Sequence, residues 1–356
     1  MVVVSDGQAM ARALALARRG PSGPNPRVGC VVLDRSGVIV GAGWHEGVGT
    51  AHAEVVALGV AGERARGGTV VVTLEPCTHH GRTGPCVDAL VAASVRRVVV
   101  GCADPNPVAA GGAAGLRAAG IDVAEVADPE LQAAAGALVE RWTFTLRHGR
   151  PFVTWKLATT LDGRSAARDG SSQWITGPAA RADVHRLRAE CDTVLVGSGT
   201  VLADDPQLTV RDPAGRLSRR QPTRAVMGLR VLPADARVLD ADAPSVRLRT
   251  QDPMVALADL WLAGSRHVLL EGGPTLAASF VKAGYVDEVL AYVAPTLLGA
   301  GTPVIANLGV ESIDDARRFG LVNATVIGSD VRLVLRPVVT SLADTPGPDL
   351  PAAAHA

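Results

Sequence analysis

The sequence has few cysteines, and their number is odd. Its 356 residues include only Cys30, Cys77, Cys86, Cys102 and Cys191. This sparse use argues against a disulfide framework and favours a reducing compartment. The first ten residues have neither the basic segment nor the apolar core of a signal peptide, and no apolar run is long enough to span a membrane. We therefore expect a cytoplasmic protein without a membrane partner.

Excess charge of one sign and aromatic side chains are also lacking. The 35 basic residues balance the 35 acidic ones, and aromatic residues make up 3% of the chain. The sequence thus has neither the general positive charge that attracts nucleic acid nor many rings on which bases stack. Hydrophobic residues make up 47%, which is enough for two cores of moderate size. We expect two soluble domains and no nucleic-acid partner.

The first half of the chain alternates between strand and helix patterns. Apolar, β-branched runs predict strands over residues 28–33, 38–42, 69–74 and 97–102. Helices are predicted over residues 8–18, 51–66 with Thr50 as the cap, 86–93 and 129–147. A mixed sheet with helices packed on it follows, so we predict the α/β class.

Four side chains in this half have the types and spacing of a catalytic zinc site. His52 and Glu54 form an H-x-E pattern, and Cys77 and Cys86 each follow a proline. One imidazole and two thiolates hold zinc and leave one position for water, whose protons a nearby carboxylate can move. His52 and Glu54 can both reach a metal from the first turn of a helix. This signature is typical of zinc-dependent nucleobase deaminases.

A structural zinc site is the alternative interpretation of the same residues. It needs a fourth protein ligand, for which the candidates are His79, His80, Cys30 and Cys102. The protein would then be a binding module, and Glu54 would be a surface residue. Because a structural site gives no reason for Glu54, we favour the catalytic interpretation.

A second α/β domain is predicted to follow the first. We expect a zinc-dependent deaminase domain over residues 1–147, a linker over 148–151, a second domain over 152–337 and a mobile tail over 338–356. Residues 268–277 (VLLEGGPTLA) predict a strand, a glycine turn and a helix, a geometry in which backbone N–H groups can bind phosphate. The turn matches neither established phosphate-binding fingerprint, so this pattern alone is weak.

Two segments of the first half resemble a known family. Residues 24–30 (PNPRVGC) and 74–86 (LEPCTHHGRTGPC) are similar to the deaminase half of the bifunctional deaminase/reductase family of riboflavin biosynthesis. The resemblance implies a cytidine-deaminase-like fold and a diaminopyrimidinone substrate that carries a ribosylamino 5-phosphate. Glu54 would then transfer the protons of the deamination. Asn25 would contact the ring, and His79 and Arg82 would hold the phosphate or ribose end.

The second half resembles the reductase half of the same family, with residues 155–164, 172–176, 200–209 and the block around Glu271 in the same order. The resemblance implies a dihydrofolate-reductase-like fold that uses NADPH to reduce the ribosyl group to ribityl. The residues implied to contact NADPH are Ala158, Trp174, Thr200, Asp204, Gly273, Pro274, Thr275, Leu276, Ala277, Ala278 and Ser279. Those implied to bind the substrate are Ser172, Arg188, Leu208, Arg211 and Glu271. Lys156 is our candidate for the cation or proton donor of the reduction.

One segment departs from the family pattern. Where the family often has an Asp-Ser pair after the strand that contains Arg224, this chain has Met227 and Gly228, so one expected cofactor contact is in doubt.

Two alternatives stay open: a deaminase that acts on another nucleobase or on nucleic acid, and a descendant whose reductase half has decayed. A homo-oligomer is the family expectation.

Overall fold

The computed structural model describes residues 2–21, 23–79, 84–212 and 214–338. It divides between Arg147 and His148 into two compact units. The predicted mobile tail, apart from Val338, lies outside the described residues, and so do His80 and Arg82. Among the helices in the described part of the chain, none combines the length and apolar character needed to cross a membrane.

The described part of the first unit is built around a five-stranded sheet. Its strands are β1 (Gly29–Leu33), β2 (Ile39–Trp44), β3 (Thr69–Val72), β4 (Arg97–Val100) and β5 (Asp122–Glu125), in the order β2-β1-β3-β4-β5. Its helices are α1 (Asp6–Ala17), α2 (Ala53–Ala61), α3 (Cys86–Ala92), α4 (Gly112–Ala118) and α5 (Pro129–His148). β1 pairs antiparallel with β2 and β3, whereas β3, β4 and β5 are parallel. The predicted mixed sheet is confirmed.

The helix that carries Glu54 begins later than we predicted. α2 starts at Ala53, and His52 precedes it as the N-cap residue. Thr50 does not cap the helix, because its hydroxyl donates to the carbonyl oxygen of Gly47 at 2.7 Å. The prediction for Thr50 is therefore wrong: its side chain stabilises the preceding turn instead.

α2 packs closely on β2 because two glycines of the strand face the helix. A Cβ atom on Gly41 would collide with the carbonyl oxygen of Ala57, and one on Gly43 would lie 2.7 Å from Val56 Cβ. A larger residue at either position would have to push the helix away from the sheet. This contact sets the distance between the sheet and the start of α2, where His52 and Glu54 lie.

The second unit contains a larger sheet. Its strands are β6 (Phe152–Thr160), β7 (Arg164–Ala166), β8 (Thr193–Gly197), β9 (Thr223–Met227), β10 (Ser245–Leu248), β11 (His267–Leu270), β12 (Glu288–Ala294), β13 (Thr302–Pro303), β14 (Phe319–Ile327) and β15 (Asp330–Pro337). Its helices are α6 (Pro178–Ala189), α7 (Ser198–Asp204), α8 (Pro253–Leu262) and α9 (Pro274–Lys282). In the described residues the main sheet has the order β10-β9-β8-β11-β6-β12-β15-β14, and β7 pairs with β13.

The neighbouring strands from β10 to β12 in this order are all parallel. Their carboxyl ends therefore lie at one edge of the sheet, which is where open α/β sheets bind ligands. The turns that follow β6, β8, β9 and β11 meet at this edge. The strand, glycine turn and helix predicted over residues 268–277 are confirmed as β11 and the start of α9.

We predict that Gly41→Ala lowers the free energy of unfolding of the first unit by about 1–3 kcal/mol, because the new methyl group overpacks the contact between β2 and α2. The displaced helix start should also weaken metal retention by His52. Urea unfolding followed by tryptophan fluorescence measures the first effect, and metal analysis after dialysis measures the second.

Gly59→Ala is the matched control, since Gly59 lies inside the same helix and a Cβ there would meet nothing within 4 Å. It should leave metal retention unchanged and raise stability by up to about 1 kcal/mol through helix propensity. Equal stability of the two variants would contradict the packing argument.

Candidate functional site

Three potential metal ligands, the metal cluster of His52, Cys77 and Cys86, meet at the N-terminal ends of two helices. His52 directly precedes α2, Cys86 is the first residue of α3, and Cys77 lies in the loop after β3. His52 Nδ1 lies 3.1 Å from Cys86 Sγ and 3.5 Å from Cys77 Sγ. The structure therefore brings together the three residues predicted as ligands.

The donor set and its spacing fit a tetrahedral zinc ion. With Zn–S bonds of about 2.3 Å and Zn–N bonds of about 2.0 Å, tetrahedral angles separate a nitrogen and a sulfur ligand by about 3.5 Å. The two distances from His52 Nδ1 are 3.1 and 3.5 Å, close to this separation. One imidazole and two sulfurs fill three corners of the tetrahedron and leave the fourth for solvent, as in catalytic zinc sites.

The metal cluster also stabilises a negatively charged sulfur. Hydrogen bonding with Cys86, and to a lesser extent with His52, lowers the pKa of Cys77 to about 4. The same contact with Cys77, together with burial, raises the pKa of Cys86. A lowered pKa favours the thiolate form of Cys77, which is the form that binds metal ions.

Glu54 lies beside the metal cluster in the first turn of α2, and only 3% of the residue is exposed. Burial raises the pKa of Glu54 above its ordinary value, although the charge of His52 opposes this. A carboxyl group whose pKa is shifted toward neutrality can both accept and return a proton near pH 7. The structural-zinc interpretation required Glu54 to be a surface residue, and its burial argues against that interpretation.

The other candidate ligands are not part of the metal cluster. Among the described residues, no donor atom of Cys30, Cys102 or His79 belongs to it. Burial raises the pKa of Cys30 well above its ordinary value and that of Cys102 to about 12, so both remain thiols. His80 lies outside the described residues, so its position is not part of this comparison.

A histidine that we did not predict positions the candidate ring contact Asn25. His45 Nδ1 lies 3.2 Å from the carbonyl oxygen of Ala51, and His45 Nε2 lies 3.0 Å from Asn25 Nδ2. Because a carbonyl only accepts, Nδ1 carries the proton and Nε2 accepts from the Asn25 amide. This orients the Asn25 side chain. A second histidine seven residues before His52 was the only signal in the sequence.

The loop predicted to hold the phosphate or ribose is described only in part. His79 Nδ1 is buried and has no hydrogen-bond partner within residues 2–79 or the other described ranges. An unpaired buried nitrogen of this kind is suited to a ligand that supplies the missing hydrogen bond. Arg82 lies outside the described residues.

The second unit contains a cavity of about 1210 Å³ at the carboxyl edge of its parallel strands. Pockets for a single drug-sized ligand have volumes of roughly 300–1,000 Å³, so this larger cavity has room for a dinucleotide and a second molecule. The predicted residues that line it are Lys156, Ala158, Ser172, Trp174, Arg188, Thr200, Asp204, Leu208, Arg211, Glu271, Gly273, Pro274, Thr275, Leu276 and Ser279. Ala277 and Ala278 do not line it, because both are buried on the side of α9 that packs into the unit.

Opposite charges are held together beside Lys156. Arg188 Nε donates to Glu271 Oε1 at 2.6 Å, and Arg188 Nη2 donates to Glu271 Oε2 at 3.0 Å. The ammonium group of Lys156 makes no hydrogen bond or ion pair with any other described residue. Burial lowers the pKa of Lys156, and Arg188 lowers it further, whereas Glu271 opposes the shift.

Two further predicted contacts, Trp174 and Arg211, differ in their solvent exposure and in the hydrogen bonds that they already make. Trp174 is 68% exposed, and the guanidinium carbon of Arg181 lies 4.5 Å from its ring centroid. Arg211, predicted to bind phosphate, already donates to Gln207 Oε1 at 2.9 Å and to Asp242 Oδ2 at 3.3 Å. A phosphate would therefore have to share this guanidinium group.

Comparison with family models assigns both units. Residues 4–102 match the cytidine and deoxycytidylate deaminase zinc-binding region, and residues 151–333 match the RibD C-terminal domain. The riboflavin biosynthesis protein RibD of Mycobacterium tuberculosis H37Rv is 51% identical over 317 residues, which cover 89% of this chain and 92% of that protein. The RibD of Escherichia coli K12 is 42% identical over 93% of this chain and 99% of its own length.

Solved structures agree with these matches. The Acinetobacter baumannii RibD structure superposes with a TM-score of 0.83 at 39% identity, covering 94% of this chain and 99% of that one. The diaminohydroxyphosphoribosylaminopyrimidine deaminase/5-amino-6-(5-phosphoribosylamino)uracil reductase of Thermotoga maritima also gives a TM-score of 0.83, at 34% identity and the same coverage. The predicted fold class and family resemblance are confirmed. The chain belongs to the RibD family of riboflavin biosynthesis, bifunctional enzymes in which a zinc-binding deaminase domain precedes an NADPH-dependent reductase domain.

Proposed function

We propose that the first unit deaminates 2,5-diamino-6-ribosylamino-4(3H)-pyrimidinone 5′-phosphate and that the second reduces the ribosyl group of the product to ribityl with NADPH. The observation that carries the proposal is the buried Glu54 beside a three-ligand metal cluster, in the same chain as a cavity with an unpaired lysine. The name of the Thermotoga relative describes the same two reactions. The domains would span residues 1–147 and 152–337, joined by residues 148–151.

In the proposed deamination, His52, Cys77 and Cys86 would hold zinc, which acts as a Lewis acid and lowers the pKa of water toward neutrality. A Glu54 carboxylate oxygen accepts the proton of the attacking water and returns protons to the ring nitrogen and the leaving ammonia. Asn25, oriented by His45, contacts the pyrimidine ring. His79 and Arg82 hold the ribose phosphate.

In the proposed reduction the sugar reacts in its open-chain imine form: bound NADPH would supply a hydride to C1, the C=N bond becomes a C–N single bond, and the nitrogen takes up a proton. Lys156 supplies a proton or stabilises the charge that develops there, because its ammonium group is unpaired within the described residues and burial lowers its pKa. Glu271, fixed by two hydrogen bonds from Arg188, orients the sugar together with Ser172 and Leu208. Arg188 and Arg211 provide positive charge for the phosphate.

The partners and location follow from the same proposal. The substrate is a small pyrimidine ribosyl phosphate. We propose a cytoplasmic location, for which the support is that the five cysteines, all within the described residues, form no disulfide bonds. A homo-oligomer remains the family expectation.

We predict that Glu54→Gln keeps its zinc but releases ammonia about 10²–10⁴ times more slowly, because the amide cannot accept a proton. The measurement is ammonia release from the pyrimidinone substrate together with a zinc count. Reduction of the deaminated product serves as an internal control and should proceed at the wild-type rate. Cys86→Ser provides the contrast, since it should lose both zinc and deamination. Near-normal ammonia release by Glu54→Gln would refute the role of Glu54.

We predict that Lys156→Gln slows NADPH oxidation by about 10²–10⁴-fold when the deaminated product is the substrate, while ammonia release is unchanged. If Lys156 donates a proton, the wild-type rate is full below the pKa of Lys156 and falls as the pH rises through it. The alkaline limb should therefore disappear in the variant. A variant with the wild-type rate and pH profile would assign proton donation to another group.

A further inference from the structure

One end of the cavity in the second unit carries arginines that the proposed function leaves unused. Arg230 and Arg237 line this end, and both are exposed. Arg230 follows β9, which lies three strands from β6 in the sheet order. Adjacent strands are about 4.8 Å apart, so the backbone positions of β9 and β6 are separated by about 14 Å across the sheet. An extended dinucleotide with its nicotinamide at Lys156 would place its adenosine end near Arg230.

The turn after β9 brings Arg230 against the start of α7. Gly228 has a φ of +130°, and a Cβ there would lie 2.5 Å from Ser198 Oγ. Only glycine suits this left-handed, close approach. As a result the guanidinium group of Arg230 reaches the α7 turn, where a Cβ on Gly199 would lie 3.8 Å from Arg230 Nη1.

The same corner contains two residues implied to contact NADPH. The backbone N–H of Gly273 donates to Thr200 Oγ1 at 3.3 Å, which joins the turn before α9 to α7. Arg230 therefore lies next to the predicted dinucleotide contacts, although it was not among them. The backbone of Arg230 is itself held in place, because Arg247 Nη2 donates to its carbonyl oxygen at 3.0 Å.

Carboxylates line this cavity, among them Asp204 and Asp205, but none of the described residues pairs with Arg230. Several other arginines of the unit pair with an acid, as Arg150 does with Asp287 and Arg224 with Asp240. Arg230 makes no ion pair with any residue in the described part of the chain. Asp205, a carboxylate that also lines the cavity, instead accepts the backbone N–H of Arg237 at 2.8 Å. An unpaired guanidinium in a ligand cavity is suited to a dianion such as phosphate.

We infer that Arg230 binds the 2′-phosphate of NADPH and sets the preference for NADPH over NADH. The inference rests on the proposed function of the second unit as an NADPH-dependent reductase. The two dinucleotides differ only in that phosphate, so discrimination requires a cation where the adenosine ribose lies. The glycine turn at Gly228 delivers Arg230 to the cavity.

Binding of the oxidised dinucleotides tests the inference without turnover. Calorimetric titration of the full chain with NADP⁺ and with NAD⁺ gives the ratio of their dissociation constants for each variant. In Arg230→Ala, NADP⁺ should bind about 10–100 times more weakly, since a charge-assisted hydrogen-bond pair is lost, while NAD⁺ binding changes less than about threefold. The NADP⁺ affinity of Arg230→Lys should lie between those of the wild type and Arg230→Ala, because lysine keeps the charge but lacks the planar guanidinium group.

Arg219→Ala is the charge-matched control, since Arg219 is exposed and does not line the cavity. Arg219→Ala should keep the wild-type ratio of the dissociation constants of NADP⁺ and NAD⁺. An unchanged ratio in Arg230→Ala, or an equal loss in Arg219→Ala or in Arg237→Ala alone, would overturn the assignment to Arg230. Failure of the proposed function gives a different result, namely a wild-type protein that binds neither dinucleotide.

Discussion

The contact between α2 and β2 determines the chemistry of the first unit. Gly41 and Gly43 let the helix lie on the strand at backbone distance, which places His52 at the helix start and Glu54 in the first turn. The start of α3 supplies Cys86 to the same point. A zinc site needs its ligands positioned within a few tenths of an ångström, and here two helix ends supply that precision.

A different constraint builds the site of the second unit. Parallel strands end at one edge, so residues far apart in the sequence, such as Lys156 in the middle of β6 and Glu271 after β11, line one cavity. Arg188 and Glu271 form a buried ion pair with two hydrogen bonds, beside the unpaired ammonium group of Lys156. A buried ion pair is weak evidence for stability, and we expect this one to fix the orientation of both side chains. In the proposed function, the reductase site therefore depends on fixed charges, whereas the deaminase site depends on a metal.

The sequence alone was sufficient for the metal cluster because zinc chemistry restricts the ligand types so strongly. The predictions from the sequence that were wrong failed for physical reasons. Thr50 is a good capping residue, but its hydroxyl bonds within the preceding turn and leaves the N-cap position to His52. On α9, a helical period places Ala277 and Ala278 on the same face as buried Phe280 and Val281, away from the cavity. Pairings such as Arg211 with Asp242 join distant segments and leave no local signal.

The central claim is that zinc in this chain has three protein ligands and one open position. X-ray absorption at the zinc edge of the purified protein tests it most directly. The account predicts two sulfur neighbours at about 2.3 Å and two lighter neighbours at about 2.0 Å, only one of which shows the outer-shell scattering of an imidazole ring. A spectrum with two imidazoles, or with three or four sulfurs, would show a saturated structural site and contradict the account.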